Sequence, residues 1–307
     1  MRPVLLLFIA LLTGCASAPD TAPIAVGVPV VQTKPAAEPL PRPKVALVLG
    51  GGAARGFAHI GVIKTLEAAG VTPDIVVGTS AGSVVGALYA SGANGFELQK
   101  LALSMDDSTL SDWSLPDRGV IRGEALQNYV NRAIGNRPIE ALPRMLGIVA
   151  TDLRSGDMIV FRRGNTGMAV RASASVPGIF QPTRIGDREY VDGGLVSPVP
   201  AKVAREMGAE VVIAVDISSK PRFASVSNTI EVLMQTFNIM GAALAQTELS
   251  QADVVIRPDT GNISGTDFQS KHLAILEGEK AAAAKLAEVR AALARAAQAA
   301  PAPAGRR

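Results

Sequence analysis

The chain has 307 residues, 30 of them Lys or Arg and 27 Asp or Glu, for a formal net charge of +3. That excess is too small to mark a nucleic-acid partner, and 48% hydrophobic against 19% charged residues is the balance of a folded chain, not a disordered one. One Cys and two His exclude an internal disulfide and a Cys-cluster zinc site, and leave only two candidates for the base of a Ser-His-Asp triad.

Arg2 precedes an unbroken apolar run of nine residues, 4–12. This is far short of the roughly 20 residues that span a bilayer, and reads as the core of a secretory signal peptide. The run ends in Leu12-Thr13-Gly14-Cys15, which resembles the lipobox of bacterial lipoproteins. The resemblance implies a signal peptide over 1–14, cleavage after Gly14 and a diacylglycerol on the Cys15 sulfur. Ordinary cleavage near Ala16 or Ala18 is the alternative. Ala16, rather than Asp, after the Cys favours the outer membrane by analogy. Residues 15–43 carry seven prolines (19, 23, 29, 35, 39, 41 and 43) and read as a semi-rigid tether. The folded body is expected over 44–300, with a frayed tail at 301–307.

Within the body, an apolar strand is predicted over 44–49, followed by the loop Gly50-Gly51-Gly52-Ala53-Ala54-Arg55-Gly56 and a helix over 57–69. A second strand over 74–77 runs into Gly78-Thr79-Ser80-Ala81-Gly82 and a small-residue helix over 83–90. Helices near 96–105 and 124–134 bracket a polar loop with Trp113. Strands follow at 146–151 and 158–161, then a helix at 168–175 and a strand ending in Tyr190-Val191-Asp192-Gly193-Gly194. A helix at 200–207, a strand at 211–216, an apolar helix near 230–249, a strand at 254–256 and an Ala-rich final helix complete the chain. Alternating strands and helices predict an α/β fold around a mainly parallel sheet.

Three motifs carry chemistry. A G-x-S-x-G turn between strand and helix presents its serine above the sheet edge, and Gly78 and Gly82 remove side chains that would clash there. The following helix turns its positive amino end toward Ser80. The glycine loop after the first strand can offer unobstructed N–H groups as an oxyanion hole. The competing phosphate-binding reading fails on two counts: the sixth position from Gly50 is Arg55, and no G-K-[ST] follows. Asp192, before two glycines, is a carboxylate where backbones approach closely, though by itself the pattern reads first as a plain β-turn. His59 lies in the helix beyond the glycine loop, where packing or capping accounts for it, and His272 is expected at the surface. A carboxylate is then left as base, and burial would raise its pKa into a useful range.

Together, 47–62, the Ser80 elbow, Arg171-Ala172-Ser173-Ala174-Ser175-Val176-Pro177 and Tyr190–Gly194 resemble the patatin-like phospholipases, in order and spacing, over about 45–217. The resemblance implies a three-layer α/β/α domain and a Ser-Asp dyad that cleaves lipid acyl esters, with no cofactor and no metal. Ser80 matches the nucleophile and Asp192 the dyad carboxylate. Gly51, Gly52 and Ala53 match the oxyanion loop and Arg55 its basic position, with Gly50, Gly56, Gly78, Gly82, Gly193 and Gly194 as motif support. Ala53 stands where many members have a third glycine, so its φ must suit a side chain. The expected partner is a phospholipid or other acyl ester, on the bacterial envelope through the Cys15 anchor, facing the periplasm, with no nucleic acid. An envelope lipoprotein that uses the fold for binding without turnover is the alternative. Residues 218–300 match no motif. Their apolar helix (Val232, Leu233, Met234, Phe237, Ile239, Met240, Leu244) is expected as ordinary core or as the lining of an acyl groove.

Overall fold

The computed structural model describes residues 42–105, 112, 119–218, 226 and 228–299. The signal segment, Cys15, the tether up to residue 41, Trp113 and the 301–307 tail lie outside them. Eight strands form one sheet: β1 (Val45–Leu49), β2 (Ile75–Thr79), β3 (Met145–Asp152), β4 (Met158–Phe161), β5 (Thr183–Ile185), β6 (Arg188–Asp192), β7 (Val211–Val215) and β8 (Val254–Ile256). The strand order is β5-β6-β3-β2-β1-β7-β8, and β4 also pairs with β3. Strands β8, β7, β1, β2 and β3 run parallel, whereas β4 and β6 pair antiparallel with β3 and β5 antiparallel with β6.

The parallel strands are apolar along most of their length because both of their faces are covered; the polar residues Thr79, Thr151 and Asp152 come at the carboxyl ends of β2 and β3. On β1, Val45, Leu47 and Leu49 join one apolar layer, and Ala46 and Val48 the other. The first layer is covered by α1 (Ala58–Ala68), α2 (Ala81–Ala90), α3 (Gly95–Leu103), α4 (Glu124–Ala133), α5 (Thr166–Ser173) and α8 (Lys271–Ala299). The second is covered by α6 (Ala201–Glu206) and the end of α7 (Thr229–Leu249), through Ala245 and Leu249. This is the expected α/β architecture, with a mixed, mostly parallel central sheet. The short edge strand β5 has no counterpart in the sequence reading, since three residues carry too little periodicity.

The Ala-rich final helix acts on the site indirectly. It crosses α1 at glycines: a Cβ on Gly61 would stand 1.9 Å from the Ile275 carbonyl oxygen, and one on Gly278 2.0 Å from that of Ala58. Helix α1 follows the glycine loop, so this crossing fixes the element on which the loop ends.

Candidate active site

Ser80 is the residue between β2 and α2, held at φ 53°, ψ −122°. A non-glycine residue in this region stores roughly 1–3 kcal/mol of strain, which the surrounding packing must sustain. Glycines enforce the turn. A Cβ on Gly78 would come within 2.4 Å of the Gly82 carbonyl oxygen, and one on Gly82 within 2.0 Å of the Leu49 carbonyl oxygen. The Ser80 N–H donates to Ser173 Oγ at 2.9 Å, and its carbonyl accepts from Ser83 Oγ at 2.7 Å. Both bonds lock the backbone of Ser80 at the carboxyl end of β2, an interior strand of the sheet.

Asp192 ends β6 and is 1% exposed. The antiparallel register Ala150↔Asp192 sets it beside the end of β3. Its backbone is fastened twice, N–H to the Ser175 carbonyl at 2.9 Å and carbonyl from Thr151 Oγ1 at 2.9 Å. Oδ1 accepts the Gly194 N–H at 2.7 Å, while Oδ2 is buried without a hydrogen bond of standard geometry. Burial pushes the carboxyl up to about 6, opposed by the Ser80 hydroxyl and the Gly194 N–H, which stabilise the anion. Of the side chains around it, the Ser80 hydroxyl is the one that stabilises this carboxylate. A carboxyl with one oxygen fixed and the other bare can receive a proton at neutral pH.

The glycine loop sits alongside, between the end of β1 and the 3-10 turn Ala53–Phe57. Gly51 departs from the expectation that it is an oxyanion donor: its N–H already donates to the Pro198 carbonyl at 3.0 Å. The N–H groups of Gly52 and Ala53 have no acceptor among the described residues. Ala53 takes φ 52°, the left-handed region a glycine would occupy without cost. The methyl is thus accommodated by strain rather than avoided. Arg55 is largely buried, its Nε has no partner, and burial lowers its pKa.

His59 is fully buried and its Nε2 donates to the Gly50 carbonyl at 2.8 Å. Burial drives its pKa down to about 4, so the ring is neutral and braces the loop from behind. Packing was the sequence expectation, and the bond to the loop adds support for the donors. His272 is exposed, as expected. Among the described residues, no group of three or more His, Cys, Asp or Glu could hold a metal ion.

The sequence reading missed several supports: Ser173, Thr79, Ser197 and Glu248. Thr79 Oγ1 donates to the Ser197 carbonyl at 2.8 Å, and Ser197 Oγ donates to a Glu248 carboxylate oxygen. Helix α7 also differs from ordinary core. Val232, Leu233, Ile239 and Met240 are each more than half exposed, and a Cβ on Gly194 would lie 2.9 Å from Phe237 Cζ. An apolar helix face therefore stands beside the Asp192 turn. No helix among the described residues is long and apolar enough to cross a membrane.

The family model for patatin-like phospholipases matches residues 47–205, which contain the Ser80 elbow, the glycine loop and Asp192. The chain belongs to the patatin-like phospholipase family. An uncharacterised NTE family protein of Mycobacterium tuberculosis is 31% identical over 269 residues, covering 79% of this chain and 46% of that protein. Mouse patatin-like phospholipase domain-containing protein 6 is 38% identical over 184 residues, 57% of this chain and 14% of that protein. The chain thus spans less than half the length of these curated relatives. VipD from Legionella pneumophila shares the fold at a TM-score of 0.54 and 14% identity, covering 83% of this chain and 67% of VipD. The matched residues hold β2 to β6 and all three motifs; β7, β8 and the whole of α7, with Glu248, lie beyond them.

Proposed function

We propose that this patatin-like protein is a serine acyl hydrolase that cleaves fatty-acyl esters of phospholipids through a Ser80–Asp192 dyad. The observation that carries the reading is Asp192: buried, anchored on one oxygen, bare on the other and beside a strained serine.

Ser80 Oγ attacks the ester carbonyl carbon, and its proton passes to Asp192 Oδ2. The carbonyl oxygen becomes an oxyanion held by the Gly52 and Ala53 N–H groups, donors worth several kcal/mol in a dry site, roughly 3 each. The C–O bond to the alcohol breaks as Asp192 returns the proton to the leaving oxygen. Water then attacks the acyl-Ser80 ester, giving its proton to Asp192. Release of the fatty acid restores the Ser80 hydroxyl. Phospholipid vesicles should yield free fatty acid with the wild type and none above background with Ser80→Ala. Equal release by both proteins would remove the reading.

The lipobox supports the anchor. Cys15, lipidated at the end of a Pro-rich tether, would hold the domain at the outer membrane, facing the periplasm, within reach of phospholipid head groups. Radiolabelled palmitate should enter the wild type and not Cys15→Ser; retention of label in that variant contradicts attachment at this cysteine.

A further inference from the structure

We infer that Glu248 is a positioning residue for the Ser80–Asp192 site, holding the nucleophile's strand and the oxyanion loop together through Ser197-Pro198-Val199; this rests on the acyl-hydrolase reading above. Glu248 sits in the last turn of α7, outside the stretch that matches the family model. One carboxylate oxygen accepts from Ser197 Oγ, and Oε2 accepts the Val199 N–H at 2.9 Å. The tripeptide between those bonds touches every part of the site. The Ser197 carbonyl takes the Thr79 hydroxyl at 2.8 Å, one residue before Ser80. The Pro198 carbonyl takes the Gly51 N–H at 3.0 Å, one residue before Gly52. The Ser197 N–H donates to the Gly193 carbonyl at 2.8 Å, one residue after Asp192.

These contacts make 197–199 a bracket, and Glu248 grips both of its ends. The bracket has no other charged side chain bonded to it among the described residues. Ionised, Glu248 makes charge-assisted bonds, roughly twice as strong as neutral ones. Protonated, it must donate its own proton to Ser197 Oγ, and the Ser197 hydroxyl proton loses its acceptor.

The pKa of Glu248 supports a switch in the working range. Burial raises it to about 7, against the pull of Ser197 and Val199. The charged groups on elements packed against α7 are engaged elsewhere. On α6, Lys202 faces Glu206 at 3.7 Å and Arg205 holds Asp253 at 2.7 Å; next to the Gly193–Leu195 turn, Asp192 is tied to Gly194. The bracket is therefore gripped tightly above pH 7 and loosened below it. Activity requires Asp192 ionised as well, with its pKa near 6. The higher of the two values sets the midpoint of the wild-type profile.

The test is steady-state hydrolysis of p-nitrophenyl butyrate by the wild type and Glu248→Gln across pH 5–9, with thermal melts of both. Gln keeps the shape and an acceptor, but not the charge. Its kcat should fall by about tenfold to a hundredfold, the cost of a displaced reacting group. KM should stay within about twofold, so that kcat and kcat/KM fall together, as when stabilisation is lost in the transition state only. The midpoint of kcat against pH should drop by about one unit, from near 7 toward near 6. An unchanged kcat and midpoint would overturn the inference. So would a loss of activity matched by the unfolded fraction, with the wild-type midpoint retained. A wild type that turns over no ester at all would overturn the hydrolase reading and this inference with it.

Discussion

Asp192→Asn should lose about 10⁴ in kcat, the scale seen when a triad carboxylate is neutralised, and yet melt at a higher temperature than the wild type. The two effects have one cause. Folding raises the Asp192 pKa from 3.8 to about 6, so the native state holds the proton more tightly than the unfolded chain. Between those values the native state binds more protons, and stability falls as pH rises through the window. Above pH 6 the ionised carboxylate costs the fold about 3 kcal/mol, at about 1.4 kcal/mol per unit. Asn has no charge to bury, and its oxygen can still accept the Gly194 N–H. At pH 8 the variant should gain about 6–12 °C, and the gain should shrink toward pH 4. His59 titrates oppositely: its lowered pKa of about 4 makes stability fall as pH drops below 6.5. The substitution leaves that contribution in both proteins, so their difference isolates Asp192. A less stable Asn variant at pH 8, or one that still hydrolyses ester, contradicts the assignment.

Gly82→Ala should cost about 3 kcal/mol or more of folding stability and remove activity, because no rotamer can relieve a backbone collision. Its Cβ would stand 2.0 Å from the Leu49 carbonyl oxygen and 2.8 Å from that of Gly50. The first residues of α2 would be driven off the end of β1, and the Ser80 turn with them. Gly86→Ala, one turn along the same helix, is the matched control. Its nearest obstacle is a methyl group of Val76 at 3.2 Å rather than a backbone atom at 2.0 Å, and Ala favours helix over Gly by about 1 kcal/mol. Chemical denaturation should show a large loss for the first and a change within about 1 kcal/mol for the second. Comparable stability of the two variants would show that the close approach of α2 to β1 is not what builds the turn.

The parts of the site legible in the sequence are those made by consecutive residues. The Ser80 elbow depends on glycines at fixed offsets, so its spacing points to it; Asp192, before two glycines, reads by itself as a plain β-turn and is singled out only by the family resemblance. The alternating helices and strands likewise reveal the parallel sheet. Gly51 misled because motif position does not reveal which N–H groups are already spent; only the Pro198 carbonyl, 147 residues away, decides that. Ser197 and Glu248 left no local signal, since their bond joins residues 51 positions apart. The exposed apolar face of α7 reads in sequence like a core helix, because composition does not reveal which neighbours a face lacks. His59 was placed correctly in packing, but its bond to the Gly50 carbonyl depends on the path of the loop and not on the pattern of the helix.

Covalent capture of the serine tests the dyad most directly. Folded wild type treated with a fluorophosphonate at pH 8 should carry the phosphonyl group on Ser80, located by peptide mass spectrometry, and folded Asp192→Asn should label at least a hundredfold more slowly, on the order expected for a lost base. Folded wild type left unlabelled at Ser80, or labelled at the same rate with and without the Asp192 carboxylate, would contradict a Ser80–Asp192 dyad.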